Sequence, residues 1–139
     1  MQKSYIIVKA LIKNKKSFLI LKTKDSDKKN ELSGWETPGG HLEIGEEIIN
    51  GLKREIKEET NLITKILFPF NVYSANANKK NSVIGINYLV KYRSGKVKID
   101  DNEHSKYKWA NISDIRKLKN SIGLQKEINA YVSFLKLNK

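Results

Sequence analysis

Cysteine is absent from the 139 residues. That excludes a disulfide framework, a thiolate metal site and a cysteine nucleophile. Histidine occurs only twice, at His41 and His104, too few for a histidine-rich zinc cage. Arginine is scarce: Arg54, Arg93 and Arg116 stand against 24 lysines. Long apolar runs are missing as well. The stretch 5–12 is too short to span a membrane and is interrupted by Lys9. No small-residue cleavage site of a signal peptide follows it. The expectation is a cytoplasmic protein with no membrane partner. The length fits one domain, residues 1–139, large enough to bury a core without staples.

The net charge is +12. Such a surplus suits a polyanionic partner: a nucleotide, a nucleic acid or an anionic membrane. Here it is carried by lysine in the company of 17 isoleucines and 14 asparagines, the residues that an AT-rich genome favours. Arginine, the bidentate reader of phosphates and base edges, is the cation in short supply. Compositional drift is the preferred reading, and nucleic acid is not the favoured partner.

β-Branched residues at 5–12 and the apolar run at 18–23 predict two strands joined by the turn at 14–17 as a hairpin. A polar loop, 24–34, leads to a short extended piece that ends at Pro38-Gly39-Gly40. Residues 44–62 carry a helical pattern. Strands are predicted at 62–73 and 82–92, separated by the Asn- and Lys-rich loop 74–81, with a further strand at 96–99 and a short one at 107–110. A capped helical turn at 111–115 and a closing helix at 122–137 follow, the latter with Leu124, Ile128, Tyr131, Val132 and Leu135 at helical spacing. This order implies an α+β fold with a mixed sheet packed against helices. The closing helix reads as core packing, with a homodimer contact left open.

Seven carboxylates crowd one short region: Glu36, Glu43, Glu46, Glu47, Glu55, Glu58 and Glu59. Most Glu-rich helices simply present a solvated face. At about 100° per residue, with Ile48 at zero, Leu52 lies at about 40°, Ile56 at about 80° and Ile49 at about 100°. Those four define a buried stripe. Glu59 falls at about 20°, inside it, while Glu55 lies about 20° beyond its edge and Glu58 about 60° further. Like charges held partly out of water raise one another's pKa. Arg54, one turn before Glu58, offers one counter-charge. A hard divalent cation with oxygen ligands supplies the rest, and Mg²⁺ is the common choice when phosphates complete its shell. Gly39 and Gly40 permit close backbone approach to a ligand, and a glycine carbonyl at such a break can join the ligand set. Asn61, at the helix end, suits a left-handed cap.

These residues resemble the Nudix box, G-x5-E-x7-R-E-U-x-E-E-x-G-U with U a bulky aliphatic. Gly40, Glu46, Arg54, Glu55, Ile56, Glu58, Glu59 and Leu62 match, and Asn61 stands where the family has glycine. Asparagine tolerates the same left-handed backbone. The lead-in Trp35-Glu36-Thr37-Pro38-Gly39-Gly40 and the downstream segment from Glu103 to Trp109 are similar to family patterns too, so the resemblance covers roughly residues 5–135 at the level of element order. It implies a Nudix-type α/β/α sandwich that hydrolyses the pyrophosphate linkage of a nucleoside diphosphate derivative. It also implies that Glu55, Glu58, Glu59 and the Gly39 carbonyl hold Mg²⁺, with Mn²⁺ able to substitute. Gly40, Glu46 and Arg54 would be structural, Glu46 pairing with Arg54 to orient the helix. Glu103 would be a further ligand or base, with Asp100, Asp101 and Glu43 as competitors. For the proton-accepting carboxylate, Glu58 and Glu59 are favoured and Glu103 competes.

The box describes the diphosphate end of a substrate and leaves its other half open, so no substrate-binding residue is assigned. The preferred substrate is a (d)NTP, oxidised forms included, going to NMP and pyrophosphate. ADP-ribose or another NDP-sugar is the alternative, lowered because similar ADP-ribose enzymes carry a proline about sixteen residues after the box and none follows Pro69 here. A non-catalytic nucleotide or RNA-binding protein is the third reading, disfavoured by the presence of all three box glutamates. Trp35, Phe68, Phe70, Tyr73 and Tyr88 are candidates for base stacking, with core packing the simpler reading of each. Lys22, Lys79, Lys80 and Lys91 are candidates for phosphate contact. His41 and His104 both lie near the expected site and read as neutral loop residues, with a catalytic role as the lesser alternative.

Overall fold

The structure, a computed structural model, describes residues 3–24, 31–74, 78 and 80–138. Lys79 and most of the two predicted long loops lie outside them. Ten elements follow in order: β1 (Lys3–Asn14), β2 (Ser17–Thr23), β3 (Trp35–Glu36), β4 (Gly39–His41), α1 (Ile48–Thr60), β5 (Ile63–Ser74), β6 (Asn81–Ser94), β7 (His104–Ala110), α2 (Ile112–Arg116) and α3 (Ile122–Leu137).

The sheet is mixed. Its main path is β3-β2-β1-β6-β5, with β4 paired to β1 and β7 to β2. Among the described strands only β1 and β6 run parallel, in register from Lys3 opposite Asn81 to Lys13 opposite Lys91. Alternation along β1 sends Val8, Ala10 and Ile12 to one face and Leu11 to the other. The first face meets Leu52 and Ile56 of α1. The second meets Ile115 of α2 and Leu124, Ile128 and Tyr131 of α3. Helices therefore cover both faces, and each strand of the centre is apolar on both sides, as two-sided burial demands.

One departure from regular pairing creates the site. β1 and β2 pair only beside their turn, at Lys13–Phe18 and Asn14–Ser17. Beyond that they part, and chain 35–41 fills the gap. Trp35 and Glu36 pair with Lys22 and Leu21 of β2. Pro38 then offers its carbonyl to the Ala10 N–H at 2.8 Å, and Gly39 to His41 pair with Lys9 to Ile7 of β1. Gly39 has φ +150°, and a methyl group there would overlap the Val8 carbonyl. Only glycine serves at this crossing.

Several expected boundaries move. The helix begins at Ile48, not at residue 44, because Gly45 has φ +80° and Glu46 folds back: its N–H bonds the Glu43 carbonyl at 3.0 Å and its Oε1 accepts the Glu43 N–H at 3.0 Å. Ile49 is 39% exposed, whereas Leu52, Ile56, Glu59 and Thr60 are buried; the helix packs closest at its C-terminal end. Asn61 takes the left-handed cap, φ 58°, with its N–H on the Lys57 carbonyl. Residues 96–99 are not a strand: the Lys98 N–H bonds the Thr60 carbonyl at the end of α1 instead of a neighbouring strand. β7 starts earlier than expected, at His104. Asn111 caps α2, its Oδ1 accepting the Asp114 N–H at 2.8 Å. No described helix is long and apolar enough to cross a membrane.

Gly39→Ala should destabilise the fold by on the order of 3 kcal/mol, because strained φ and a backbone overlap act together. Urea denaturation measures it; a loss no larger than that of an exposed-site substitution would show that the crossing tolerates a side chain.

Candidate active site

Glu59 is the innermost of the helix carboxylates, 2% exposed. The gap between β1 and β2 admits it from the α1 side, and its Oε1 accepts the Gly39 N–H at 2.6 Å. Burial drives its pKa up to about 8; the Gly39 bond and the charges of Lys9 and His104 pull the other way without prevailing. Glu55 lies against Gly40, where a methyl group would sit 2.7 Å from its Oε1. Burial raises Glu55 too, opposed by Arg54 and reinforced by Glu58 and Glu103. Glu58 is more than half exposed. The wheel thus orders the three correctly from inside to outside.

Arg54 organises this edge. Its Nε and Nη2 grip Glu46 at 2.7 and 2.9 Å in a bidentate pair. Its Nη1 reaches Glu55 at 3.1 Å and Glu58 at 3.3 Å, and Nη2 also donates to the His41 carbonyl at 3.2 Å. Arg54 hydrogen bonds bring the Glu46 pKa down to about 2. The planar fork lets one guanidinium tie the loop before α1 to two of its glutamates.

The β7 turn adds the remaining groups. Asp100 holds that turn, accepting the Glu103 and His104 N–H groups on its carbonyl at 3.0 and 2.9 Å and the Asn102 N–H on Oδ1 at 3.0 Å. Among the described residues, Glu59, Glu103 and His104 each place a ligand atom within 4.8 Å of the others. Glu55 and Glu58 stand outside that tight set, each with an oxygen on Arg54. Of the competitors for the Glu103 position, Asp100 is engaged in the turn, the Asp101 carbonyl takes the Lys24 ammonium at 2.7 Å, and Glu43 points into solvent beside Arg54.

Four contributors were given no part in the site by the sequence reading. His104 is buried at the start of β7 rather than solvated in a loop. Its Nε2 meets Glu36 Oε2 at 2.9 Å, and its Nδ1 has no hydrogen-bond partner. Burial alone would lower the His104 pKa, but Glu36, Glu59 and Glu103 raise it above its ordinary value. Burial would raise Glu36; Lys9, whose Nζ lies 3.3 Å from Oε1, and His104 outweigh it and hold Glu36 down to about 2. Burial disfavours the Lys9 ammonium, yet Glu36, Glu127 and Glu59 raise its pKa. Glu127 of α3 is 6% exposed; its Oε1 accepts from Thr37 Oγ1 at 2.7 Å, and its Oε2 is unpaired. Burial lifts its pKa to about 7 against the pull of Lys9 and Thr37. Two signals were available. Lys9 interrupts an apolar strand, and Glu127 lies about 60° from Leu124 on the helical wheel, about 40° beyond the Tyr131 border of the apolar stripe.

A cavity of about 910 Å³ opens beside this network, lined by Lys9, Trp35, Gly39, Asn71, Tyr73 and Glu127 among others. Asn71 donates to Asn87 at 2.9 Å along its wall. Of the candidate stacking aromatics, Trp35 and Tyr73 line the cavity. Phe68 and Phe70 pack on Phe134, and Tyr88 belongs to the core beneath α1. Lys22 is buried, its Nζ bonded to the Ser33 carbonyl. Lys80 and Lys91 are exposed and away from the cavity.

This arrangement has counterparts. A model of the Nudix domain matches residues 3–131. An ADP-ribose pyrophosphatase of Methanocaldococcus jannaschii is 32% identical over 99 residues, which are 70% of this chain and 56% of that protein. The match thus spans little more than half the length of this curated relative. The solved structure of a MutT protein from Methanosarcina mazei Go1 superposes with a TM-score of 0.78 at 26% identity, covering 99% of this chain and 97% of that one. A Nudix hydrolase from Nitrosomonas europaea gives 0.76 at 20% identity, over 94% and 89% of the two chains; that likeness is one of fold alone. With its acidic helix, its crossing at Gly39 and this match over most of its length, the chain belongs to the Nudix hydrolase family. Enzymes of that family use divalent metal ions and act on small-molecule nucleotide substrates.

Glu127 keeps its proton up to about pH 7 in the folded protein, whereas the ordinary carboxyl value is 4.5. Unfolding therefore releases a proton across that window, and stability falls as pH rises through it. The interval corresponds to on the order of 3 kcal/mol. Glu127→Gln should match the parent near pH 5 and exceed it near pH 8 in chemical denaturation. Equal pH slopes for the two proteins would remove Glu127 as the group responsible.

Proposed function

We propose that this chain is a Mg²⁺-dependent pyrophosphohydrolase that converts a (d)NTP, oxidised forms included, to NMP and pyrophosphate, with Mn²⁺ able to replace Mg²⁺. One observation carries the reading: the buried carboxylate end of α1 meets Glu103 beside the Gly39 crossing, and Gly39 and Gly40 also line a cavity of nucleoside size. The small-molecule nucleotide substrates of the Nudix family support this choice.

The chemistry follows from charge. A pyrophosphate linkage is a polyanion that repels nucleophiles. A bound divalent ion screens that charge and acidifies water. Glu55, Glu58, Glu59 and the Gly39 carbonyl are the groups proposed to hold it. The donor set fits a hard cation: clustered carboxylate oxygens, one of them buried, with Arg54 and Lys9 as the nearest fixed positive charges. Arg54 and Glu46 keep the helix glutamates in place, and Gly40 leaves room for Glu55. The attacking water gives its proton to a carboxylate, the bridging P–O bond breaks, and pyrophosphate departs. Glu58, more exposed than Glu59 and steadied by Arg54, is the favoured acceptor, with Glu59 and Glu103 as alternatives. Trp35 and Tyr73 offer faces for the base on the cavity wall.

A second reading is ADP-ribose, favoured by the identity to the archaeal ADP-ribose pyrophosphatase. The products separate the two: NMP with pyrophosphate, or AMP with ribose phosphate.

Glu59→Gln should lower kcat by at least about a hundredfold, because one buried ligand charge is lost, while nucleotide still binds and the fold persists. A screen of NTPs, dNTPs, oxidised dGTP and NDP-sugars with Mg²⁺ and Mn²⁺ is the measurement. No turnover of any of them by the parent protein would overturn the enzymatic reading.

A further inference from the structure

His104 holds a lone pair in an unusual place. Its side chain is 2% exposed, and Nε2 is committed to Glu36 Oε2 at 2.9 Å. Glu36 is anchored in turn by Lys9 at 3.3 Å. An ionised carboxylate only accepts, so Nε2 carries a proton, and in the neutral imidazole Nδ1 is left with its lone pair. Nδ1 has no hydrogen-bond partner, is shielded from solvent and faces Glu59 Oε2 across 3.7 Å. Two electronegative atoms facing each other across a buried gap are held there favourably only when a positive charge, a metal ion or a proton, lies between them.

The gap has the size of an ion. Metal–nitrogen and metal–oxygen bonds of about 2.1 Å span at most about 4.2 Å when collinear. A separation of 3.7 Å corresponds to an angle at the ion of about 125°, within the range that transition ions accept. Glu103 lies close enough to supply a third donor. A histidine whose far nitrogen is bonded to a carboxylate is also the usual form of a metal-ligating imidazole, oriented and made more basic by its partner. Glu36 fills that place.

We propose that His104 Nδ1 is a metal ligand alongside Glu59 and Glu103, which gives the site a mixed nitrogen–oxygen donor set that prefers Mn²⁺, Co²⁺ or Zn²⁺ to Mg²⁺. This rests on the reading above that the acidic end of α1 holds a divalent cation. Imidazole suits transition ions, whereas Mg²⁺ takes oxygen donors and retains its waters. The network of Lys9, Glu36 and His104 then has one purpose: to present a single nitrogen, fixed in tautomer, to the ion beside Glu59.

Pulsed electron paramagnetic resonance of the full chain loaded with Mn²⁺ tests this without any substrate. A ¹⁴N coupling from one directly bound imidazole is expected, retained in His41→Gln and lost in His104→Asn. Equilibrium titration should show Mn²⁺ affinity falling at least about tenfold in His104→Asn while Mg²⁺ affinity changes less than about threefold. The spectrum of the parent protein decides the matter even if His104→Asn fails to fold. Bound Mn²⁺ without nitrogen coupling, in a protein that hydrolyses nucleotides with Mg²⁺, would overturn this proposal and leave the function standing; the proton shared by His104 and Glu59 would then be the positive charge in the gap. Failure to bind any divalent ion, with no hydrolysis, would overturn both.

Discussion

The Gly39 N–H to Glu59 hydrogen bond, 2.6 Å long, joins the two parts of the molecule on which everything else depends. One is the crossing that fills the gap between β1 and β2. The other is the last turn of α1. A carboxylate carried into that gap is costly unless it is bonded and compensated. The bond fixes where Glu59 points, and it can form only because residue 39 is a glycine whose backbone passes close beneath the Val8 carbonyl. Burial of the helix against Val8, Ala10 and Ile12 thereby becomes positioning of an acidic group at the gap between β1 and β2.

Around that bond the fixed charges do not balance. Glu36, Glu46, Glu55, Glu58, Glu59 and Glu103 converge on Arg54, Lys9 and His104. Arg54 is spent largely on Glu46 and Lys9 on Glu36, the two carboxylates brought down to about 2. Glu55 and Glu59 are left with raised values. The fixed cations thus hold Glu36 and Glu46 ionised and leave the burial of Glu55 and Glu59 only partly offset, an arrangement that a bound cation would relieve.

Much of this was legible in the sequence where local periodicity governs. The wheel placed Glu59 inside the apolar stripe and Glu58 outside it, the Asn61 cap followed from residue type, and the alternation of strands and helices gave the layered mixed sheet. What was not legible depends on long-range pairing. Nothing local to Lys9 says that it meets Glu36 and Glu127, 27 and 118 positions away respectively, because the splay of β1 from β2 is a property of the whole sheet. His104 looked like a loop residue since the polar run before it hides the start of β7. Residues 96–99 looked like a strand because Val97 and Ile99 are apolar, yet they serve as cover on the core beneath α1. The first turn of α1 was placed too early because a pattern of apolar residues continues through a loop that Gly45 and Glu46 fold back on itself.

The acidic end of α1 as a cation site is the claim on which the functional account stands. Anomalous diffraction from crystals grown with Mn²⁺ and a non-hydrolysable nucleoside triphosphate analogue tests it most directly. The account predicts an ion within bonding distance of Glu59, with the analogue's phosphates completing its shell and the nucleoside in the cavity beside Trp35 and Tyr73. Glu55, Glu58 and Glu59 turned to solvent with no ion between them and the phosphates would contradict it.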